Sequence, residues 1–186
     1  MASDLKGLEV ILGVTGGIAA YKAVDLASKL TGEGAVVHCI LTDSACKLVV
    51  PKSFEAVTGR EVFTGLWSAP QEYRIGHVSL ADRAQVMVVA PATANLLAKA
   101  AIGLCDDLLS TTLCAAWEKP IIIAPAMNDR MWSNPAVQQN VGTLRNRGWR
   151  FVGPAAGRLA CGREGLGRMA EPAEILDMIR SVCSGS

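Results

Sequence analysis

A chain of 186 residues with 51% hydrophobic and 19% charged residues is long enough for one compact domain with a complete core. Its 18 lysine and arginine residues nearly balance 17 acidic residues, so it lacks the basic surplus that favours nucleic-acid backbones, and 5% aromatic residues exclude extensive base stacking. No apolar run reaches the roughly eighteen residues of a membrane-spanning helix. Glu9 interrupts the one N-terminal stretch that resembles a secretory signal. We therefore expect a single domain over residues 1–186 of a cytoplasmic protein, with no nucleic-acid or membrane partner.

Apolar, β-branched runs predict parallel strands that alternate with helices. The runs cover residues 8–16, 35–42, 85–93 and 119–127, with a weaker one at 149–154. Helices are predicted over 17–31, 52–57, 95–101, 107–117, 135–147 and 172–183, with a further short helix just before the third long strand. This order predicts an α/β fold, a doubly wound (Rossmann-like) parallel sheet with helices on both faces.

Ligands of such sheets bind at the carboxyl ends of the strands, where this sequence places small polar residues: TGGIAA, TDSA, PATAN and PAMN. The glycine-rich turn at 13–20 either holds a phosphate on a helix N-terminus or is a tight turn that needs glycine. It matches neither the dinucleotide fingerprint nor the triphosphate-binding loop. Hydroxyl and amide groups at Thr42, Ser44, Thr93 and Asn95 favour a mononucleotide such as FMN.

Other candidate residues have two possible roles each. His77 is either a proton-transfer residue or a surface residue, whereas His38, inside a strand, is expected to be packed. Asn128, after the fourth strand, either binds a ligand carboxylate or caps a helix. The six cysteines include no C-x-x-C pair, so neither a metal site nor a disulfide framework is predicted, and most are expected to be buried.

The stretch AAGRLACGREGLGRM at 155–169 has a composition that favours neither a strand nor a helix interior. It is therefore either a connector or a loop that carries a reactive thiol, Cys161. The three arginines within it, Arg158, Arg163 and Arg168, either reach a phosphate or are solvated.

Together, several segments resemble those of the flavin-dependent cysteine decarboxylases. They are GVTGGIAAYK (13–22), GHVSLA (76–81), APATANLLAKAAIG (90–103) with DDLLSTTL (106–113), PAMNDRMW (125–132) and GRLACGREGLGRM (157–169). The resemblance implies a flavodoxin-like flavoprotein fold and a carboxy-lyase that forms homotrimers, sometimes assembled into dodecamers, with FMN between subunits. The members most similar in these segments decarboxylate 4′-phospho-N-pantothenoylcysteine to 4′-phosphopantetheine in coenzyme A biosynthesis. Many members are fused to the synthetase of the preceding step; this sequence ends soon after the decarboxylase region, and a separate synthetase stays an open question.

The resemblance also implies roles for individual residues. His77 is the active-site histidine, Asn128 holds the substrate carboxylate beside Met127 and Met131, and Cys161 donates a proton in the last step, on a mobile substrate flap at about 154–169. The residues implied to bind FMN are Gly16, Gly17, Ile18, Thr42, Ser44, Thr93, Ala94, Asn95, Leu96 and Ala126.

The alternatives are two related activities and one non-catalytic role. An oxidative peptidyl-cysteine decarboxylase of lantibiotic maturation shares the histidine, PAMN and FMN patterns, but it releases an unreduced product and has no need for Cys161. A flavin prenyltransferase is disfavoured by PAMN and by the cysteine stretch. A non-catalytic flavin-binding regulatory subunit would carry an acidic extension or lack a catalytic residue, and this sequence shows neither feature.

Overall fold

A five-stranded parallel sheet forms the centre of the molecule. The computed structural model describes residues 5–67, 76–158, 162 and 164–184. The strands lie in the order β2-β1-β3-β4-β5, with neighbouring strands parallel. Their bounds are β1 (Glu9–Val14), β2 (Val36–Leu41), β3 (Val86–Ala92), β4 (Ile121–Pro125) and β5 (Arg150–Phe151). All five predicted strands are confirmed, with shorter bounds than the apolar runs indicated.

Helices connect the strands and cover both faces of the sheet. They are α1 (Ala20–Gly32), α2 (Asp43–Cys46), α3 (Pro51–Thr58), α4 (Gly76–Arg83), α5 (Ala94–Ile102), α6 (Leu108–Ala115), α7 (Asp129–Trp132), α8 (Pro135–Asn146) and α9 (Pro172–Cys183). The predicted helices are confirmed. The single-turn helices α2 and α7 were not predicted, because four residues are too few to show a helical period. No described helix combines the length and apolarity needed to cross a membrane.

Successive strand residues enter two different hydrophobic clusters. Val10 and Leu12 pack on one face of the sheet against α1, α3 and α9, whereas Ile11 packs on the other face against α4, α5, α6 and α8. Both faces of the strands are thus buried, which explains why the sequence shows continuous apolar runs instead of alternation. The doubly wound α/β prediction is confirmed.

The glycine-rich stretch near the C-terminus forms strands, so the expectation that it favours none was wrong. Strands β6 (Ala155–Arg158) and β7 (Glu164–Arg168) pair as an antiparallel hairpin in which Gly157 lies opposite Gly165. Composition misled here because strand propensity reflects how well side chains pack on a pleated surface. In this hairpin, neighbouring atoms lie close to the glycines, at positions where a side chain would clash. A Cβ added at Gly167 would lie 2.1 Å from the Met127 carbonyl oxygen.

The cysteines also depart from expectation. Of the five described cysteines only Cys39 is buried, and burial raises the pKa of its thiol to about 12. Cys105 and Cys114 are exposed because they lie on the turn before α6 and on the outer side of that helix. Cys161 lies outside the described residues. His38 is packed as predicted, 2% exposed, and its Nε2 lies 2.8 Å from a carboxylate oxygen of Glu9.

Candidate functional site

A cleft of about 860 Å³ lies at the carboxyl edge of the sheet. The strand order reverses between β1 and β3, and the turns that follow these two strands both line the cleft. Such a switch point is the usual ligand site of an open α/β sheet, because the two connections leave toward opposite faces and a crevice remains between them. Nine predicted site residues line the cleft: Gly16, Gly17, Ile18, Thr93, Ala94, Ala126, Met127, Asn128 and Met131.

The turn before α1 presents unpaired backbone amides to the cleft. The helix begins at Ala20, three residues later than predicted, because the Gly17 N–H donates to the Thr15 carbonyl oxygen in a tight turn at 2.8 Å. The amides of Gly16, Ile18 and Ala19 donate to no described residue. Unpaired amides at a helix N-terminus attract an anion through hydrogen bonding and the helix dipole. The turn is thus tight, as one interpretation expects, and its unpaired amides leave phosphate binding as a prediction.

Thr42 and Ser44 lie behind this turn and do not line the cleft. A Cβ placed on Gly16 would lie 2.4 Å from the Cβ of Ser44, so the two backbones approach each other closely. The Thr42 hydroxyl accepts a hydrogen bond from the Ala45 amide at 3.2 Å and so caps α2. These two residues thus support the turn that faces the ligand space.

The start of α5 forms the neighbouring wall. The Thr93 side chain caps the helix, and the Thr93 amide donates to the Thr15 hydroxyl at 3.1 Å. That hydroxyl in turn donates to the Pro91 carbonyl oxygen at 2.7 Å, so Thr15 ties the two turns together. Asn95 is exposed, whereas the side chain of Leu96 is buried in the core and can offer a ligand only its backbone.

The connection from β4 to α7 carries Asn128. Its Oδ1 accepts a hydrogen bond from the Arg130 amide at 2.9 Å, so Asn128 is the cap of α7 and also lines the cleft. The donor atom of this side chain is Nδ2, which carries two N–H groups. The methionines Met127 and Met131 add apolar surface beside it.

Sequence reasoning missed Lys22 as a cleft residue. Its Nζ lies 2.6 Å from Oε1 of Glu171, and Arg168, which also lines the cleft, lies 3.1 Å from the same oxygen. The hydrogen bond from Lys22, assisted by the charges of Lys22 and Arg168, holds the pKa of Glu171 below its usual range. The helical period could have indicated Lys22, since it lies one turn beyond the Ile18 position on the predicted α1.

Five described candidates do not line the cleft: Thr42, Ser44, Asn95, Leu96 and His77. His77 lies in the first turn of α4, half-buried, and does not line the cleft of its own chain. Cys161 belongs to the part of the chain that is not described.

Comparison with known proteins identifies the class. The family model described as "Flavoprotein" matches residues 1–184. The chain belongs to this flavoprotein family.

Curated relatives are named coenzyme A biosynthesis bifunctional protein CoaBC. The one from Bacillus subtilis strain 168 is 46% identical over 174 residues, which are 94% of this chain and 43% of the relative. The one from Escherichia coli K12 is 41% identical over 175 residues, again 94% of this chain and 43% of the relative. This chain thus spans less than half the length of these relatives.

Solved structures share the fold over nearly the whole chain. A PPC decarboxylase mutant complexed with pantothenoylaminoethenethiol has a TM-score of 0.84 at 34% identity, covering 96% of this chain and all of that one. The FMN-dependent cysteine decarboxylase SpaF has a TM-score of 0.83 at 36% identity, covering 97% of this chain and 98% of that one. The FMN-binding protein AtHal3 has a TM-score of 0.82 at 34% identity, covering 97% and 99%. The predicted resemblance and the flavodoxin-like flavoprotein fold are confirmed.

Proposed function

We propose that this protein decarboxylates 4′-phospho-N-pantothenoylcysteine to 4′-phosphopantetheine with bound FMN, as a step of coenzyme A biosynthesis. The observation that carries the proposal is one cleft that joins the unpaired amides before α1 to the donor side of Asn128. The first group suits a phosphate and the second suits a carboxylate. The curated relatives that match most of the chain are named for coenzyme A biosynthesis, which supports this substrate class.

The donor set of the cleft fits FMN. The amides of Gly16, Ile18 and Ala19 suit its single phosphate, and those of Ala94 and Asn95, which donate to no described residue, suit the polar edge of a flat ring. In this proposal Gly17, Thr93 and Ala126 shape the wall, while Thr42, Ser44 and Leu96 support it from behind. When bound, FMN supplies the two-electron chemistry that makes the cysteinyl carbon–sulfur unit an electron sink for the departing carboxylate.

On the substrate side, Asn128 would donate Nδ2–H to the carboxylate and fix its orientation. Decarboxylation needs the breaking carbon–carbon bond aligned with the developing π system, so a fixed carboxylate is a positioning effect. The apolar surfaces of Met127 and Met131 lie beside Asn128 and exclude water from that carboxylate. In this proposal these three residues form the carboxylate subsite.

Two residues would move protons. Cys161 would donate a proton from its thiol in the last step, since an ordinary thiol is mostly protonated at neutral pH. His77 would assist proton removal or stabilise charge on the substrate sulfur. Because His77 lies apart from the cleft of its own chain, we propose that a second copy supplies it in a homotrimer, or in a dodecamer built from trimers.

Residues 1–186 would act as one FMN-binding decarboxylase domain in the cytoplasm, and the flap role of residues 154–169 stays a prediction.

The test is a single reaction. Purified, yellow, FMN-loaded protein is mixed with 4′-phospho-N-pantothenoylcysteine, and carbon dioxide and 4′-phosphopantetheine are followed by mass spectrometry. Equimolar formation of both is expected, without an external reductant. Absence of turnover by FMN-loaded protein would overturn the proposal.

A second candidate is oxidative decarboxylation of a peptide C-terminal cysteine, because the similarity to SpaF, an FMN-dependent cysteine decarboxylase, supports cysteine decarboxylation without fixing which molecule carries the cysteine. A peptide ending in cysteine is therefore offered in parallel. A product two mass units lighter than the reduced thiol, formed from the peptide alone, would select this second activity; its two electrons would pass to FMN and then to dissolved oxygen. Cys161→Ser is the matched variant: on the pantothenoyl substrate it is expected to accumulate the lighter product.

A further inference from the structure

Three cationic side chains line the cleft. Lys22 on α1, Arg158 on β6 and Arg168 on β7 all line it, and no carboxylate is among the described lining residues. Arg158 forms no ion pair with a described residue. This region therefore carries positive charge that the cleft itself does not neutralise, which is the arrangement that attracts an anion.

One carboxylate just outside the cleft holds two of these cations in place. Lys22 Nζ and an Arg168 guanidinium nitrogen contact the same Oε1 of Glu171, at 2.6 and 3.1 Å. Glu171 is itself fixed, because it caps α9 and its amide donates to Oε2 of Glu174 at 2.8 Å. The Lys22 side chain is only 14% exposed, so it keeps little rotational freedom.

A glycine makes room for the arginine on the opposite side. Gly157 has a φ of +146°, and a Cβ there would lie 2.7 Å from a guanidinium nitrogen of Arg168 and 3.0 Å from its Cδ. The Arg168 side chain therefore lies flat against the Gly157 backbone. The adjacent residue in β6 is Arg158, so the hairpin supplies two of the three cations.

We propose that Lys22, Arg158 and Arg168 bind the phosphate of the substrate and that Glu171 is a positioning residue for this phosphate subsite. This inference rests on the proposed function. Lys22, Arg158 and Arg168 carry three positive charges; Glu171 pairs with two of them, and Glu164 lies opposite Arg158 in the register of the hairpin. No acidic residue is among the described residues that line the cleft, so its wall is suited to the charge of about −1.5 to −2 on a phosphomonoester at neutral pH. Arginine forms paired hydrogen bonds with phosphate oxygens, and lysine adds a point charge.

The cleft offers separate groups for two phosphates. The amides before α1 suit the cofactor phosphate, and the cations suit the substrate phosphate. Arg158 and Arg168 belong to the hairpin that packs on the Asn128 connection: the Met127 amide donates to the Gly167 carbonyl oxygen at 3.0 Å. The two arginines thus lie on the part of the cleft wall that continues from the proposed carboxylate site, and Lys22 on α1 is joined to Arg168 through Glu171.

The test compares substrates with and without the phosphate. We measure kcat/KM of FMN-loaded protein for 4′-phospho-N-pantothenoylcysteine and for N-pantothenoylcysteine. Arg168→Met and Lys22→Met are each expected to reduce the preference for the phosphorylated substrate by about 10- to 100-fold, the usual worth of a hydrogen bond to a charged group. Lys29→Met is the control: it lies on α1, pairs with Asp25 and does not line the cleft. A preference unchanged in both cleft variants would overturn the proposal.

Glu171→Gln tests positioning. It is expected to raise KM for the phosphorylated substrate with little change in kcat, whereas a purely structural role would lower turnover of both substrates in parallel. A parallel loss would overturn the positioning role.

A binding measurement distinguishes failure of the phosphate subsite from failure of the proposed function. The affinity of FMN-loaded protein for 4′-phosphopantetheine and for pantetheine is measured by calorimetry, which requires no turnover. One outcome is that neither pantothenoylcysteine substrate reacts, while 4′-phosphopantetheine binds more tightly than pantetheine to wild type but not to Arg168→Met. That result would support the phosphate subsite and overturn the proposed activity. If the cleft variants instead weaken FMN binding while riboflavin binding is unchanged, the cations hold the cofactor phosphate and the proposal is overturned.

Discussion

The amide of Met127 donates a hydrogen bond to the carbonyl oxygen of Gly167 at 3.0 Å, and a Cβ on Gly167 would lie 2.1 Å from the Met127 carbonyl oxygen. This close backbone contact joins the hairpin to the connection that carries Asn128. It fixes two walls of the cleft relative to each other, and only glycine allows it.

Gly167→Ala is expected to separate these walls. The new methyl group overlaps backbone that cannot rotate away, so we expect a loss of about 1–3 kcal/mol in the free energy of unfolding, measured with urea. Substrate KM is expected to rise as well. Gly142→Ala is the control: Gly142 lies inside α8 with nothing near its Cβ position, and alanine there is expected to stabilise by about 0.5–1 kcal/mol. Equal effects of the two substitutions would contradict the close-contact argument.

Gly16→Ala and Gly17→Ala form a matched pair on the turn before α1. A Cβ at Gly16 would lie 2.4 Å from Ser44 Cβ and 3.0 Å from its backbone carbon, whereas at Gly17 the nearest atom, on Pro91, is 3.4 Å away. Without flavin, Gly16→Ala is expected to destabilise by about 1–3 kcal/mol and Gly17→Ala by less than about 1 kcal/mol. Flavin content of the purified variants, read from absorbance, is expected to fall for Gly16→Ala. Full flavin content in a Gly16→Ala protein would show that the turn does not hold the cofactor.

Asn128→Asp separates capping from ligand binding. A carboxylate oxygen still accepts the Arg130 amide, so stability is expected to stay within about 0.5 kcal/mol. The N–H donor is lost and a negative charge faces the substrate carboxylate, so kcat/KM is expected to fall by about 100-fold. Asn134→Asp is the control, since Asn134 caps α8 with the same geometry and does not line the cleft. Normal kinetics in Asn128→Asp would remove this residue from the carboxylate site.

Asp107 is expected to stabilise the fold more than its neighbour Asp106. Its carboxylate caps α6 through the Ser110 amide at 2.8 Å and pairs with Lys99 at 2.7 Å, whereas Asp106 contributes only an exposed pair with Lys99. Asp107→Ala is expected to cost about 1–2 kcal/mol, and Asp106→Ala less than about 0.5 kcal/mol.

The effect of Asp107 should depend on pH. Burial by itself raises the pKa of Asp107, but hydrogen bonds from Lys99 and Ser110 lower it overall. The stabilisation is therefore present above the pKa of the unfolded chain, roughly 4, and is lost as pH falls through the lower folded value. The free energies of unfolding of wild type and Asp107→Ala, measured with urea, should approach each other as pH is lowered from 7 to 3. A constant gap over that range would contradict the ion-pair explanation.

His38 is expected to make the fold sensitive to mild acid. Burial lowers the pKa of its imidazole, although Glu9 partly offsets this. Between the folded pKa and the unfolded value of about 6.5, the unfolded chain binds more protons than the native one, so stability rises with pH in that window. Unfolding free energy should decline as pH is lowered through 6.5, and His38→Gln should decline less. An identical slope in the variant would assign the effect to another group.

Much of this site could be predicted because its parts follow strand ends. The parallel sheet brings the turns after β1, β3 and β4 to one edge, so Gly16, Thr93 and Asn128 meet wherever such a sheet forms. Short segments could not be predicted in the same way. The composition of the glycine-rich stretch predicts irregular chain, because strand propensity takes no account of the Met127 backbone, which lies where a Cβ of residue 167 would be.

The sequence by itself determined the α/β order, the glycine-rich turn and the family, because apolar periodicity and motif spacing are properties of the chain alone. The tertiary structure determines which of the candidate site residues line the same cleft. Lys22 and Arg168 contact the same oxygen of Glu171, although Lys22 and Glu171 are 149 residues apart in the sequence. His77, by contrast, does not line the cleft of its own chain. Contacts over such separations depend on how α1, β7 and α9 pack, and packing is set by the whole core and not by any local pattern.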